Sequence, residues 1–248
     1  MRTSVLLAAV LSFVIACQAK SNQGSAQGSG SAGSGSAATA EAAGSAGAAG
    51  TGGSKLVLPK GDSSPPNKTT APLSKPVIDK LSALEYEGFT KTVRTATDKS
   101  VDLRYHTKER PRLSVDVTVA ACFDCEPMEL DKWKAKERAL KVGLGSEDLF
   151  KRSDTVFELG TTELNGAPVI FAYVLGHGFE NDDLGQPSGD YAHSYTLYFN
   201  DGINQLRVAA KYSDDPLTRE KMVELAPRED LEKIAKAFLD AFTHAWAP

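Results

Sequence analysis

The chain has little with which to do chemistry. Its folded part contains no Gly-x-Ser-x-Gly, which excludes a hydrolase nucleophile elbow. His-Glu-x-x-His and the EF-hand loop are both missing, so no single segment supplies a metal site. Gly143-Leu144-Gly145 is too short for a dinucleotide fingerprint and reads as the end of the preceding helix. The residues call for no cofactor. Three cysteines and four histidines are all that a thiol or metal site has to draw on. No apolar run reaches the roughly 20 residues of a membrane-spanning helix; the longest, Ser4–Ala16, has thirteen. A basic stripe is lacking too. The formal charge of −4 divides into +1 at Arg2, +3 in residues 18–75 and −8 in residues 76–248. An acidic segment without clustered Lys and Arg is a poor partner for phosphate backbones, so nucleic acid is not expected.

What is present begins with an export segment. Met1-Arg2-Thr3 forms a short positive stretch, and Ser4–Ala16 has the length of a signal-peptide apolar region. A core helix would not be followed by nearly sixty residues with almost nothing to pack. The apolar run ends in Val14-Ile15-Ala16-Cys17. These four residues resemble the lipobox of bacterial lipoproteins, with Val14 where Leu is commonest. The resemblance implies that Cys17 becomes the mature N-terminus and carries a diacylglyceryl thioether, usually with a further N-acyl chain. Each buried methylene contributes about 0.8 kcal/mol, and a second chain makes the anchoring stable. Gln18, in place of Asp, implies sorting to the outer membrane, with the domain in the periplasm or at the cell surface.

Residues 18–75 read as a disordered Gly/Ser/Ala/Pro-rich linker. Ser21–Ser54 is almost all Gly, Ser and Ala and has too little apolar surface to offset its ordering entropy. Pro59, Pro65, Pro66 and Pro72 stiffen the stretch after Lys55. Such a tether has an r.m.s. reach of about 40 Å.

Residues 76–248 have the composition of one globular domain. Val77, Ile78, Leu81 and Leu84 recur at helical spacing, which predicts a helix over Lys75–Leu84. Phe89–Ala96 is a weaker strand candidate. Val101, Leu103 and Tyr105, then Leu113, Val115, Val117 and Val119, alternate with polar residues as half-buried strands do. A helix is predicted over Pro127–Lys141, with Leu130, Trp133, Leu140 and Leu144 as its stripe. Asn165-Gly166 separates Thr155–Leu164 from Ala167–Leu175, and Asp201-Gly202 separates His193–Asn200 from Ile203–Lys211. Both dipeptides mark two-residue hairpins, and together they predict a four-strand meander. A helical piece near Leu217–Leu225 precedes a C-terminal helix with Leu231, Ile234, Phe238, Leu239 and Phe242 on one face. Strands grouped in runs predict an α+β fold, with an antiparallel sheet of about six to seven strands flanked by helices. This order of elements loosely resembles the PsbP-like α/β/α sandwich superfamily. The resemblance implies an extrinsic or binding subunit over an enzyme.

With Cys17 assigned to the lipid, Cys122 and Cys125 remain as Cys-Phe-Asp-Cys between a strand and a helix. Outside the cytoplasm such a pair is expected to be oxidised, as a clamp on the loop. The alternative is a thioredoxin-like redox site, in which a helix N-terminus lowers the first thiol's pKa. Pro168, at the start of a strand, would then be the accompanying proline; Asp124 opposes a neighbouring thiolate. A third alternative is a metal or two free thiols. His177 and His193 flank the loop 176–192, which also holds Glu180, Asp182, Asp183 and Asp190. If the flanking strands pair symmetrically about Gly185, the two imidazoles face each other, and with Asp182 and Asp183 they are candidate metal ligands. The competing reading is a polar loop with two unrelated histidines. His106 is expected on the solvent face of its strand and His244 in the last helical turn. The tyrosines are expected to pack on the sheet with polar tips outward. The expected function is that of a membrane-anchored lipoprotein presenting a non-enzymatic domain that binds a protein or envelope component.

Overall fold

The structure is a computed structural model. It describes residues 56–61, 63–142, 155–177, 180–181, 187–188, 191–214 and 218–247. The export segment, Cys17, the linker to residue 55 and Leu144 lie outside the described residues. The unit that contains the described residues spans Ser54–Pro248.

Its elements run α1 (Lys75–Ala83), β1 (Phe89–Ala96), β2 (Ser100–Thr107), β3 (Leu113–Ala121), α2 (Leu130–Ala135) and α3 (Glu137–Val142). They continue with β4 (Val156–Leu164), β5 (Ala167–His177), β6 (Glu180–Asn181), β7 (Pro187–Ser188), β8 (Tyr191–Asn200) and β9 (Asn204–Asp214). Two helices close the chain, α4 (Arg219–Leu225) and α5 (Arg228–Ala245). Seven strands form one antiparallel sheet in the order β1-β2-β3-β9-β8-β5-β4. The fold is α+β. Two meanders make the sheet, β1-β2-β3 from one edge and β4-β5-β8-β9 from the other, and they meet where β3 pairs with β9.

The pleat sorts side chains by face. Val101, Leu103, Tyr105, Val115, Val117, Leu197, Leu206 and Val208 point to one side and are buried there. The helix α5 lies over β8 and β9 on that side and contributes Leu231, Ile234, Phe238, Leu239 and Phe242, all buried. Each such side chain contributes about 1.5–3 kcal/mol by leaving water. The amphipathic α1 adds Ile78 and Leu81 beside it. Aromatic rings tie α5 to β1, β2 and the segment after α1: Phe238 stands 5.0 Å from Tyr105 and 5.1 Å from both Phe89 and Tyr86. Tyr105 turns its hydroxyl to the Leu84 carbonyl at 2.9 Å. On the opposite side of the sheet Trp133 of α2 packs on Tyr198 with ring centroids 4.9 Å apart. Helices therefore stand on both faces.

Both hairpin dipeptides turn the chain, in different ways. Asn165 (φ 50°) and Gly166 (φ 83°) are both left-handed, as a two-residue type I′ turn requires. The second turn is centred one residue later than Asp201-Gly202. Asp201 pairs with Asn204, and Gly202 (φ 93°) takes the first central position, the place of glycine in a type II′ turn. The Asp201 carboxylate then accepts from the Ile203 and Asn204 amides at 3.0 and 2.9 Å.

Two expectations need correction. The helix predicted over Pro127–Lys141 starts later and is broken at Lys136 into α2 and α3. Leu130, Trp133 and Leu140 are only half-buried, so little holds the segment as one rod. The boundary between linker and domain also moves. Residues 56–61 and 63–74, read as the end of the linker, form a strap across the domain. Leu73, Pro59 and Pro66 are buried, and Leu56 and Leu58 pack against the core. Gly61 passes so close to the Asp240 carboxylate that a Cβ there would collide with it. Beyond it, Thr69 gives its amide and hydroxyl to Asp201 at 2.7 and 2.6 Å, and the Leu73 amide reaches Asn204 at 2.9 Å.

Candidate functional site

Three places hold the residues that the sequence singled out or that the fold assembles. The first is the end of the sheet where β3 stops. The Cys122 amide donates to the Ile203 carbonyl at 2.9 Å, and Cys122 and Cys125 are joined as a disulfide with Cα atoms 5.4 Å apart. Asn200 secures the segment that follows by donating to the Glu126 carbonyl at 2.8 Å. Glu126 pairs with Lys136, and the Trp133 indole donates to the Pro127 carbonyl at 3.0 Å. At the tip of this closed loop Phe123 is fully exposed. The features that a redox site needs are placed elsewhere. The helix after the pair begins only at Leu130, beyond Glu126–Glu129, and is six residues long, where a redox site has the helix start at the first thiol. Pro168 sits in β5 opposite Glu163, with β8 and β9 between it and β3, a separation of about 14 Å at ordinary strand spacing.

The second place is around His193. The strand register puts His193 opposite Leu175 and His177 opposite Tyr191, so pairing is not symmetric about Gly185 and the two histidines are not cross-strand partners. His193 lies on the core face, 1% exposed, and its Nε2 shares a 2.9 Å hydrogen bond with the Tyr173 hydroxyl. Burial pushes the imidazole pKa down to about 4, and the Met222 carbonyl of α4 offsets this only in part. The ring is therefore neutral at neutral pH. Asp182, Asp183 and Asp190 lie outside the described residues, as does the side chain of His177. Among the described residues no three His, Cys, Asp or Glu side chains cluster as metal ligands. Beside Tyr173 the Arg228 guanidinium stacks on its ring at 4.5 Å and holds Glu158 with two bonds of 2.7 and 2.9 Å. This arrangement fastens the start of α5 to β4.

The third place was not visible in the sequence. On the outer face of the sheet, away from α5, Thr92, Arg104, Asp116 and Ala209 form one transverse row across β1, β2, β3 and β9. Asp116 has a side chain only 4% exposed. Arg104 grips it through Nε and Nη2 at 2.6 and 2.8 Å, and the Lys211 ammonium reaches Oδ2 at 2.8 Å. Arg94 stands at the irregularity of β1 between Val93 and Thr95, where a bulge re-aims side chains. Its Nη1 is 3.9 Å from the same oxygen. These bonds hold the Asp116 carboxyl well below the usual carboxylate range against its burial. Burial in turn lowers the Lys211 pKa, with Arg207 and Arg104 adding to the effect and Asp116 opposing it. The sequence signal that was there, alternate charges on β2 and β9, says only that these residues share a face.

His106 is half-buried on this outer face. His244 lies in the last turn of α5, between the Asp240 carbonyl and the Ser64 hydroxyl at 2.8 and 2.9 Å. Neither a protein-family model nor a curated protein matches this chain. Among the described residues no helix is long and apolar enough to cross a membrane.

Proposed function

We propose that this chain is a lipid-anchored envelope protein, held at the outer membrane by Cys17, whose domain binds another protein through the Cys122–Cys125 end of the sheet. One observation carries the reading: Phe123 is fully exposed at the tip of a disulfide-closed loop. An aromatic side chain that packs on nothing in its own fold is available to a partner, and aromatic side chains are the usual anchors of protein interfaces. Half-buried Met128 and Ile203 and exposed Pro127 belong to the same end, and Asp98, Asp124 and Glu129 there are exposed. A partner with an apolar pocket rimmed by Lys or Arg complements that surface. The described chain starts at Leu56, beside Gly88, at the other end of β2, about 25 Å away along the strand.

The test places a photo-reactive residue at position 124 of the full chain in cells, with the same residue at Val223 as a control. A discrete adduct at 124 that Phe123→Ser abolishes supports the reading. Equal adducts at both positions, or an adduct indifferent to Phe123→Ser, would sink it. Anchoring is checked apart from this, because Cys17→Ser should release the chain from the membrane fraction whatever Phe123 binds.

A further inference from the structure

We propose that Arg94, Arg104 and Lys211 form a binding site for a phosphate-type dianion on the outer face of the sheet, with Asp116 as the buried residue that positions Arg104 and Lys211. The proposal is independent of the partner reading and concerns another part of the surface.

The argument begins with charge. One carboxylate needs one counter-charge, yet three cationic nitrogens lie within 4 Å of a single oxygen, Asp116 Oδ2. Arg207 lies one row along the same face, where Asp102 is engaged by the Thr118 hydroxyl at 3.4 Å. Like charges gathered in half-buried surroundings repel one another, and a bound anion relieves that repulsion. Burial is the main cause of the lowered Lys211 pKa, and the neighbouring Arg207 and Arg104 add to it.

Depth gives the cluster a direction. The Asp116 side chain is 4% exposed, whereas those of Arg104, Arg94 and Lys211 are 28, 32 and 35% exposed. The carboxylate is thus the floor, and the cations form a rim that solvent reaches. An anion approaching from outside meets the rim first. Thr90 and Thr92, the neighbouring outer-face residues of β1, are exposed and leave that side open. At 3.9 Å the Arg94 guanidinium is beyond hydrogen-bond distance of Asp116, so the carboxylate does not occupy its donor fork. A fork of this kind takes two oxygens of one group, and the Lys211 ammonium adds a point charge beside it.

Charge also selects the class of ligand. Among the described residues three rim cations face one floor carboxylate, an arrangement that a phosphate dianion complements better than a single carboxylate does. The same group can come from a soluble phosphate or from a lipid headgroup.

The test titrates the full chain with inorganic phosphate at constant ionic strength, by calorimetry and by thermal shift. Saturable binding is expected, weakened about tenfold or more in Arg94→Gln through loss of the bidentate pair. Without phosphate the melting temperature of Arg94→Gln should match the parent, since its long contact with Asp116 holds little. Lys211→Met is the second variant and should also weaken binding. Vesicles of phosphatidic acid distinguish the sources: capture that depends on Arg94 assigns a headgroup, and binding of free phosphate alone assigns a soluble ligand. No saturable signal at millimolar phosphate would overturn the site, as would affinity unchanged in both variants. Binding of malonate but not phosphate would overturn the ligand class.

Discussion

Trp246 donates its indole N–H to the Asn67 carbonyl at 2.9 Å and so joins the last residues of the domain to the strap that precedes α1. Trp246 is buried, and without the strap its indole N–H would lose the acceptor that satisfies it. Asn204, also buried, depends on the strap in the same way: its amide donates to the Thr69 hydroxyl and the Ala71 carbonyl at 2.6 and 3.0 Å.

A protein that starts at residue 76 should therefore be less stable than one that starts at residue 54. The loss of Leu73 burial and of partners for Trp246 and Asn204 should cost about 3 kcal/mol or more. Urea denaturation of the two proteins measures it. Equal midpoints would show that the strap is only laid on the surface.

The buried imidazole of His193 makes stability depend on pH. Its folded pKa of about 4 lies below the ordinary 6.5, so between these values the unfolded chain takes up a proton that the folded domain refuses. The contribution is intact above pH 6.5, is lost as pH falls, and levels off near pH 4. At most about 3 kcal/mol is at stake. His193→Gln should flatten that part of the curve. A variant with the parent's slope between pH 6.5 and 4.5 would count against a neutral buried ring.

The cysteine pair should carry no free thiol in intact-mass analysis of unreduced protein. Replacing both cysteines by serine should cost about 2 kcal/mol or less, because the loop they close is short. Phe123 should then become more mobile, read as weaker cross-linking at position 124. If the pair instead exchanges with glutathione at about −120 to −270 mV, it belongs with redox proteins and the clamp is refuted.

The elements most legible in the sequence were those with local causes. The periodic face of α5, with Leu231, Ile234, Phe238, Leu239 and Phe242, needs only helical geometry to become a stripe. Strand alternation in β2 and β3 is equally local, and Asn165-Gly166 encodes its turn through backbone preference. Where local signals were weak, burial elsewhere decided. Leu56, Leu58 and Leu73 are scattered among prolines and read as linker, yet each finds a place on the core. Leu130, Trp133 and Leu140 read as one helix, but half-burial leaves the rod broken at Lys136. The pairing of His177 with His193 failed on a register set by the neighbouring hydrogen bonds and not by loop symmetry.

The sequence by itself determined the class of the fold, because amphipathic periods of two and near four residues dictate which faces seek a core. It also limited the chemistry, since the motifs for hydrolase, dinucleotide and single-segment metal sites are missing. Tertiary structure alone decided which distant residues meet. Arg94, Arg104, Asp116 and Lys211 come from four strands, and only the order β1-β2-β3-β9 brings their charges together. Alternation assigns a residue to a face, but the partner strand and its register assign its neighbours, and these depend on long-range pairing that no local pattern encodes.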